Sequence, residues 1–477
     1  MTAPTTRGKR ARSAVVGRVG GRLGAPLLAV WVAASMVILV PVIVIGFTPT
    51  PHRSVWMGAL AVTTIAGVRY AWIIGEGHRR LIEMSFWMFT YVFLGLAPLA
   101  QLRLEQNPPT TPRLDPSLDV KAIVIVVTGL VFFCVGLFVA RVVWPRLPAV
   151  VTGERGAGSI DPLRAVALAV VALALNAYYI NKIGIGTLLE SRSAVTEQAE
   201  GSLGQSTTAV IIAAGAMMSL LVAFIAVVKY YDTMTVKERA FLPIIVVLGM
   251  TLCVTLNPIS NARYLFGTGA LAVAALFGLF ATRARFRVVA ILAVAALVLV
   301  FPLADAFRYS SSAQFKTSNP LQSLTSPDYD AFAQINNTVL YVQNHGNTGG
   351  DQALGVLFFW VPRSIWADKA PDTGVLLAKS RNYPVDNLSA PLWTELYING
   401  GMPILVLGML LFGLVAGVQD RRIEISLRTA RAPTVLACIL PFYAIILLRG
   451  SLLQAMSYLL VIIACALFVT GSGRKRT

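Results

Sequence analysis

The sequence predicts an all-α membrane protein that crosses a bilayer about twelve times, and three observations support this fold class. Of the 477 residues, 56% are hydrophobic and 13% are charged, whereas soluble domains contain about 45–50% apolar and about 25% charged residues. The apolar residues are gathered in runs as long as a transmembrane helix. The 40 Lys and Arg outnumber the 22 Asp and Glu, and much of this excess lies in short clusters between the runs.

The apolar runs follow one another along almost the whole chain, and each approaches the roughly 20 residues that a spanning helix needs. They cover residues 25–47, 55–75, 81–101, 120–140, 163–183, 208–228, 240–257, 264–281, 288–305, 392–418, 432–448 and 452–471. A basic tail, residues 1–24, precedes the first run. Because that run is too long for a signal peptide and no small-residue cleavage site follows it, we expect an uncleaved first helix.

The basic clusters predict the orientation of these helices. Lys and Arg near helix ends stay on the cytoplasmic side, and such clusters occupy the first tail, every second loop and a C-terminal tail at residues 472–477. We therefore expect both termini in the cytoplasm. Roughly 25 of the 40 basic residues follow this rule, so the net charge of +18 needs no nucleic-acid partner. Arg69, inside the second run, is expected to reach the inner interface with its side chain.

Metal and cofactor chemistry has no support in the sequence. The four cysteines lie inside apolar runs and the three histidines are scattered, so they form neither a zinc motif nor a disulfide framework. Phosphate-loop and nucleophile-elbow motifs are also missing. We predict that the protein uses no cofactor and no metal ion.

Two loops on the predicted outer side are long enough to contribute to function. The smaller covers residues 184–207, within a helical region of residues 25–305. The larger, residues 306–391, separates that region from the last helices at residues 392–471, and its prolines and aromatic residues distinguish it from a flexible linker. We expect short helices in this loop. Its apolar and aromatic segment 354–366 is expected to lie along the membrane interface.

Cations on the outer side stand out because the topology rule disfavours them there. The candidates are Arg192 in the smaller loop, Arg363 and Lys369 in the larger one, and Arg263 and Arg449 at the mouths of helices. Several arginines around an outer cavity suit an anionic lipid headgroup such as a diphosphate, which the guanidinium fork binds through two oxygens. The alternative for Arg263 and Arg449 is an ordinary interfacial side chain at a helix end.

Two carboxylates on the same side are candidates for a general base. Glu395 opens the long tenth run, where an acid is costly to bury without a partner or a role. Asp330 precedes a predicted helix at residues 331–342. The alternatives are a helix-start acid stabilised by the dipole for Glu395 and a capping residue for Asp330.

Several short motifs resemble the O-antigen polymerase (Wzy-type) family of oligosaccharide repeat-unit polymerases. They are Tyr-Asp-Ala-Phe at residues 329–332, Leu-Gly at 354–355, Phe-Trp-Val-Pro-Arg-Ser-Ile-Trp-Ala-Asp-Lys at 359–369, Glu-Leu-Tyr-Ile-Asn-Gly-Gly at 395–401, Asn-Ala-Arg-Tyr at 261–264 and Leu-Arg-Gly at 448–450. The resemblance covers mainly residues 180–460. An Arg-x10-Gly spacing described for some members is not met at Arg192, because position 203 is Leu.

This resemblance implies a GT-C-like glycosyltransferase of the plasma membrane with its active site on the external face. Such enzymes join repeat units carried on undecaprenyl diphosphate into a cell-surface polysaccharide, without a metal and with inversion at the sugar. The lipid-linked oligosaccharide and the bilayer would be the partners, with a chain-length regulator and a flippase. Glu395 or Asp330 would accept the hydroxyl proton. Arg192, Arg263, Arg363, Lys369 and Arg449 would bind the diphosphate.

Three other functions remain open from the sequence. A ligase that moves a finished glycan from lipid diphosphate to another acceptor would use the same cations and base. A flippase or transporter would also suit twelve spans, but such proteins often carry two related halves, and residues 25–230 show no convincing repeat of residues 240–471. The third is a structural membrane protein of envelope assembly.

Overall fold

The computed structural model describes residues 24–143, 160–203, 206–234, 239–300, 320–386 and 388–470. Within these ranges every regular element is helical, apart from one isolated bridge between Ile160 and Thr470. The predicted all-α class is therefore confirmed for the described chain. The predicted cytoplasmic tails, except Gly24, and residues 301–319 at the start of the larger loop lie outside the described residues.

Within the described ranges, eight helices are long and apolar enough to cross a membrane, so the chain is a polytopic membrane protein. In chain order they are α1 (Gly24–Gly46), α2 (Trp56–Glu76), α3 (Leu81–Leu104), α4 (Pro116–Val143), α5 (Pro162–Ile183), α7 (Thr208–Thr233), α15 (Leu392–Thr429) and α17 (Leu452–Val469). Each coincides with one of the predicted apolar runs.

The other four predicted runs correspond to shorter helices in the described chain. Three of them are apolar helices of 10–17 residues, α8 (Phe241–Thr255), α9 (Arg263–Leu276) and α16 (Val435–Arg449). The last of these four runs, residues 288–305, overlaps α10 (Arg283–Ala295) and the π-helical turn that continues it to Val300. Helix α9 ends at Leu276 because Gly278, two residues later, has a positive φ of 80°, which is not helical. The side chain of Arg431 packs against this glycine.

The remaining helices are short and belong to the two long loops. Helix α6 (Arg192–Leu203) lies in the smaller loop. The larger loop contains α11 (Pro320–Ser323), α12 (Ala331–His345), α13 (Asp351–Leu357) and α14 (Thr373–Ser380). The expected short helices of the larger loop are therefore present.

Helices α4 and α15 pack along one another at a line of glycines. A Cβ atom added to Gly413 would collide with the backbone of Phe133, and one added to Gly136 would collide with the backbone of Leu410. Small residues of this kind let two membrane helices approach closely and gain van der Waals contact. At the start of α15, the indole N–H of Trp393 donates to the carbonyl of Val126, 3.1 Å away.

Helix α15 is broken near its start. Gly401 has φ 67° and ψ −150°, a backbone conformation that side chains with a Cβ rarely adopt, and Pro403 follows it without an N–H to donate. The break separates residues 392–399 from the long remainder. Residues 392–399 are bound to the larger loop, because the amide of Thr348 donates to the carbonyl of Ile398 at 2.9 Å.

The far end of α15 is fixed by a network of buried charges. Both carboxylate oxygens of Asp420 accept backbone N–H groups at the start of α3, from Ile82 and Glu83. Glu424 forms hydrogen bonds with the side chain and the amide of Arg79.

Glu83 connects two further arginines to this network. It pairs with Arg141 at 2.7 Å and with Arg69 at 2.8 Å. Arg69 therefore has a specific carboxylate partner, where the sequence suggested only an interfacial side chain.

We expect Gly413→Ala to destabilise the protein by about 1–3 kcal/mol, because the added methyl group forces α4 and α15 apart. The measurement is thermal unfolding of the purified protein in detergent. Gly215→Ala in α7 is the matched control, since nothing lies within 4 Å of a Cβ at that position. Equal melting temperatures for the two variants would contradict the assigned packing.

Candidate functional site

Two arginines and two aspartates from separate parts of the chain meet at one end of the helices. Arg263, the first residue of α9, pairs with Asp328 at 3.0 Å between Nη1 and Oδ2. Arg449, the last residue of α16, lies 3.6 Å from Asp328 and 3.8 Å from Asp330. We call these four residues the arginine–aspartate cluster. It brings together three of the sequence-predicted site residues, Arg263, Arg449 and Asp330.

The segment that carries the two aspartates is held in place from α3. The side-chain amide of Gln101 donates to the carbonyls of Leu324 and Tyr329, at 2.8 and 2.9 Å. The ring of Tyr329 is fully buried and stacks on Phe93, with 5.3 Å between the ring centroids. A spanning helix therefore sets the position of Asp328 and of the start of α12.

Arg449 is held by more than opposite charge. Its Nε and Nη2 both donate to the carbonyl of Asp328, at 3.1 and 2.8 Å. Its guanidinium faces the rings of Phe93 and Tyr264, with 5.7 and 5.8 Å to the centroids. Aromatic faces attract a cation most strongly where water is excluded, and this side chain is only 13% exposed. Arg449 is thus part of a packed site rather than an ordinary interfacial side chain.

Asp330 is buried, and its carboxylate accepts no backbone N–H group of the helix it precedes. Its oxygens accept hydrogen bonds from the hydroxyl of Ser389 at 2.6 Å and from the side-chain amide of Gln334 at 3.3 Å. No side-chain capping bond to α12 is formed, and the backbone of Asp330 is already helical. The capping alternative is therefore wrong, and the side chain belongs to the cluster.

Glu395 lies in the first turn of α15 and is 2% exposed. Its Oε2 accepts a hydrogen bond from the hydroxyl of Thr373 at 2.8 Å, and its Oε1 accepts one from the amide of Leu452 at 3.0 Å. Leu452 begins α17, so the carboxylate is stabilised by the free N–H groups and dipole of a second helix. Glu395 is therefore a helix-start acid, as the alternative expected, and it also binds the first residue of a second helix.

One short turn joins Glu395 to the arginine–aspartate cluster. Arg449 ends α16, and Leu452, whose amide binds Glu395, begins α17 only three residues later. The end of α16 therefore supplies the guanidinium group that faces Asp328 and Asp330, and the start of α17 supplies the N–H group that binds Glu395. The predicted base candidates, Asp330 and Glu395, lie on either side of this turn.

Asp372 is a buried acid beside Glu395 that the sequence did not single out. Its Oδ1 caps α14 by accepting the amide N–H of Gly374 at 2.9 Å. Burial raises the pKa of this carboxyl above its usual range. The sequence Pro-Asp-Thr-Gly at residues 371–374 is typical of a helix N-cap. It does not indicate that the capping Asp372 is buried beside Glu395.

Arg192 lies near the same end of the helices without joining the cluster. It is half-buried at the start of α6 in the smaller loop. Asn257, six residues before Arg263, donates to the carbonyl of Leu188 at 2.8 Å and so joins this loop to the chain that leads into α9.

Arg363 and Lys369 bind the backbone of their own loop. Arg363 donates to the carbonyls of Lys369 and Ala370, at 2.7 and 3.3 Å. The ammonium group of Lys369 donates to the carbonyls of Phe359 and Val361, at 2.6 and 3.0 Å, and burial lowers its pKa. The structure does not bring these two cations to the arginine–aspartate cluster.

We expect the stability of the wild-type protein to fall, relative to Asp372→Asn, as the pH rises from about 4 through the raised pKa of Asp372. The folded state holds this proton more tightly than the unfolded chain, so deprotonation favours unfolding. Melting temperatures of both proteins between pH 4 and pH 8 test this. Asp372→Ala also loses the cap and should be about 1 kcal/mol less stable than Asp372→Asn at every pH. A constant difference between wild type and Asp372→Asn would contradict the raised pKa.

Comparisons with models of known families, with curated proteins and with solved structures give no match to this chain. The function of the site is therefore inferred from its own geometry.

Proposed function

We propose that the protein is a membrane glycosyltransferase of the O-antigen polymerase (Wzy) type. It would join undecaprenyl-diphosphate-linked repeat units into a cell-surface polysaccharide. The observation that carries this proposal is the meeting of Arg263 and Arg449 with Asp328 and Asp330, one turn of chain away from Glu395. A guanidinium pair next to carboxylates supplies both requirements of the reaction, anion binding and proton removal.

The location of the site on one side of the membrane is supported by the two ends of α15. Glu395 opens this helix, and Asp420 and Glu424 bind the arginine-rich network near its other end. The continuous part of α15 beyond the break, from Met402 to Asp420, rises about 27 Å at 1.5 Å per residue, close to the thickness of the hydrocarbon core. Arginines collect on the cytoplasmic side, so we place that network inside and the candidate site on the external face.

The proposal includes the finer topology. It assigns twelve crossings in a GT-C-like arrangement in the plasma membrane, with both termini in the cytoplasm. The shorter helices α8, α9 and α16 and the π-extended α10 would then cross as spans with ends inside the protein. This suits the site, because α9 begins at Arg263 and α16 ends at Arg449, and short spans would hold both guanidinium groups below the surface of the bilayer.

The reaction would form one glycosidic bond for each lipid diphosphate released. A hydroxyl of the acceptor unit attacks the anomeric carbon of the donor chain, and the bond from that carbon to the diphosphate oxygen breaks with its electron pair. Asp330 or Glu395 accepts the hydroxyl proton. Attack from the side opposite the leaving group inverts the anomeric centre.

Arg263 and Arg449 would stabilise the charge that develops on the departing diphosphate. Removing one fixed donor of this kind raises the barrier by about 3 kcal/mol, or about a hundredfold in rate. Arg263 already pairs with Asp328, so a bound diphosphate would exchange with that carboxylate as its partner. The backbone bonds from Arg449 to Asp328 would keep its guanidinium in position during the exchange.

The direct test is incubation of the purified protein with a lipid-diphosphate-linked repeat unit, followed by mass analysis of the glycan. We expect Arg449→Lys, which keeps the charge and loses the planar fork, to lower polymer formation about a hundredfold. Arg263→Ala and Glu395→Gln should also lower it strongly. Arg428→Ala is the control, because this exposed arginine lies at the opposite end of α15. Normal polymer lengths from all three site variants, at normal protein levels, would overturn the assignment.

The broken helix supports one other function, a lipid-linked oligosaccharide transporter. Interrupted helices with an acid near the break occur at substrate sites of transporters, and Glu395 lies six residues before Gly401. The same preparation distinguishes the two. Movement of the lipid-linked unit across a reconstituted bilayer, without new glycosidic bonds, would favour the transporter over both the polymerase and a ligase.

A further inference from the structure

The segment 354–366, here called the aromatic loop, presents large apolar side chains away from the protein. Ile365 is 78% exposed and Trp360 is 55% exposed. Leu354, Leu357 and Phe358 are exposed beside them. Single exposed apolar residues are common, but a contiguous group marks a surface that binds something.

The depth of the aromatic loop is fixed by its attachment to α15. The amide of Ala353, immediately before the loop, donates to the side-chain carbonyl of Asn399 at 3.0 Å, and Thr348 binds the carbonyl of Ile398. Both partners lie in the second turn of a spanning helix. The loop is therefore attached below the start of that helix rather than above it.

The exposed side of α15 begins just beyond the attachment point. Ile404, Leu407, Leu411 and Val415 are all exposed, and their spacing of three or four residues places them on one face of the helix. Ile404 follows Asn399 by five residues, just beyond the break at Gly400 and Gly401. The aromatic loop thus continues a lipid-facing surface.

The two cations of this region hold the loop in its exposed conformation. The ammonium group of Lys369 binds the carbonyls of Phe359 and Val361, the residues on either side of Trp360. Arg363 closes the other end by binding the carbonyls of Lys369 and Ala370. These bonds hold the backbone on both sides of Trp360 while its side chain faces outward.

We propose that the aromatic loop is inserted into the lipid bilayer, at the boundary between headgroups and acyl chains, on the side of the membrane where Glu395 lies. Tryptophan and phenylalanine are favoured at this depth, and here Trp360 packs edge-on against Phe358 and Phe359. Arg363 and Lys369 act as positioning residues for this contact with lipid. The inference does not depend on the glycosyltransferase assignment.

Insertion would give the candidate site a second fixed point besides α15. Before the aromatic loop, Ala353 binds Asn399, and after it Thr373 binds Glu395. The chain on both sides of the loop is therefore bonded to the start of α15, and the loop itself would rest in lipid. A lipid-linked substrate arriving within the same leaflet would meet this edge of the protein.

Spin labels measure the depth directly in the full-length protein in nanodiscs of phosphatidylethanolamine and phosphatidylglycerol. Single cysteines at positions 357, 360 and 365, in a background with the four native cysteines replaced, should collide with oxygen more often than with a water-soluble nickel complex. A label at Leu411 provides the lipid-facing reference, and one at the exposed Asp386 provides the water-facing reference. Labels that match Asp386, or that are shielded from both reagents by a second protein, would overturn the proposal.

A second measurement keeps the native cysteines. The emission lost in Trp360→Phe, relative to the wild-type protein, belongs to Trp360. We expect lipids brominated near the ester group to quench this component and iodide in the water to leave it unchanged. Quenching by iodide alone would place Trp360 in water.

The positioning role of Lys369 has its own readout. Lys369→Met should increase the mobility of a label at position 365, because the backbone clamp around Trp360 is lost. Lys379→Met in α14 should leave that spectrum unchanged. Equal spectra for the two variants would assign the conformation of the loop to something other than the clamp.

Discussion

The close approach of α4 and α15 is the constraint on which both ends of the protein depend. At its middle, Gly136 and Gly413 bring the two backbones into contact. Toward the start of α15, Trp393 bonds to α4 and Glu395 follows two residues later in the same turn. On the other side of the contact, Arg141 of α4 reaches Glu83, and Asp420 of α15 holds the start of α3. A bilayer supplies no hydrophobic force to press two apolar helices together. The close fit of α4 and α15 therefore sets the relative positions of Glu395 at one end and of the Glu83 and Asp420 network at the other.

Each buried charge in the candidate site is satisfied by a different kind of partner. Arg449 has carboxylates, a carbonyl and aromatic faces, whereas Glu395 has a hydroxyl and an amide N–H from the protein. Burying an ion without such partners would cost several kcal/mol. These partners are fixed before any substrate arrives, and preorganised dipoles of this kind can stabilise developing charge without rearranging.

The sequence predicts the membrane helices well because lipid imposes one simple rule, a run of about 20 apolar residues. It also singles out Arg263 and Arg449, because arginines on the predicted outer side go against the topology rule. It does not predict that Arg363 and Lys369 bind backbone carbonyls, because a sequence shows the charge of a side chain and not its direction. The partner of Glu395 is equally invisible, since Leu452 contributes only a backbone amide. Pairing across hundreds of residues, as between Arg79 and Glu424, depends on the tertiary packing.

The break at Gly401 separates α15 into two parts with different contacts. Residues 392–399 are bonded to the larger loop and to α17, while the remainder is an ordinary spanning helix with an exposed apolar face. Spanning helices accommodate thicker or thinner bilayers by tilting. The non-helical backbone at Gly400 and Gly401 interrupts the helical hydrogen bonding between the long part and the turn that carries Glu395. We therefore expect a change of tilt in the long part to be absorbed at these two glycines before it reaches the bonds of Glu395.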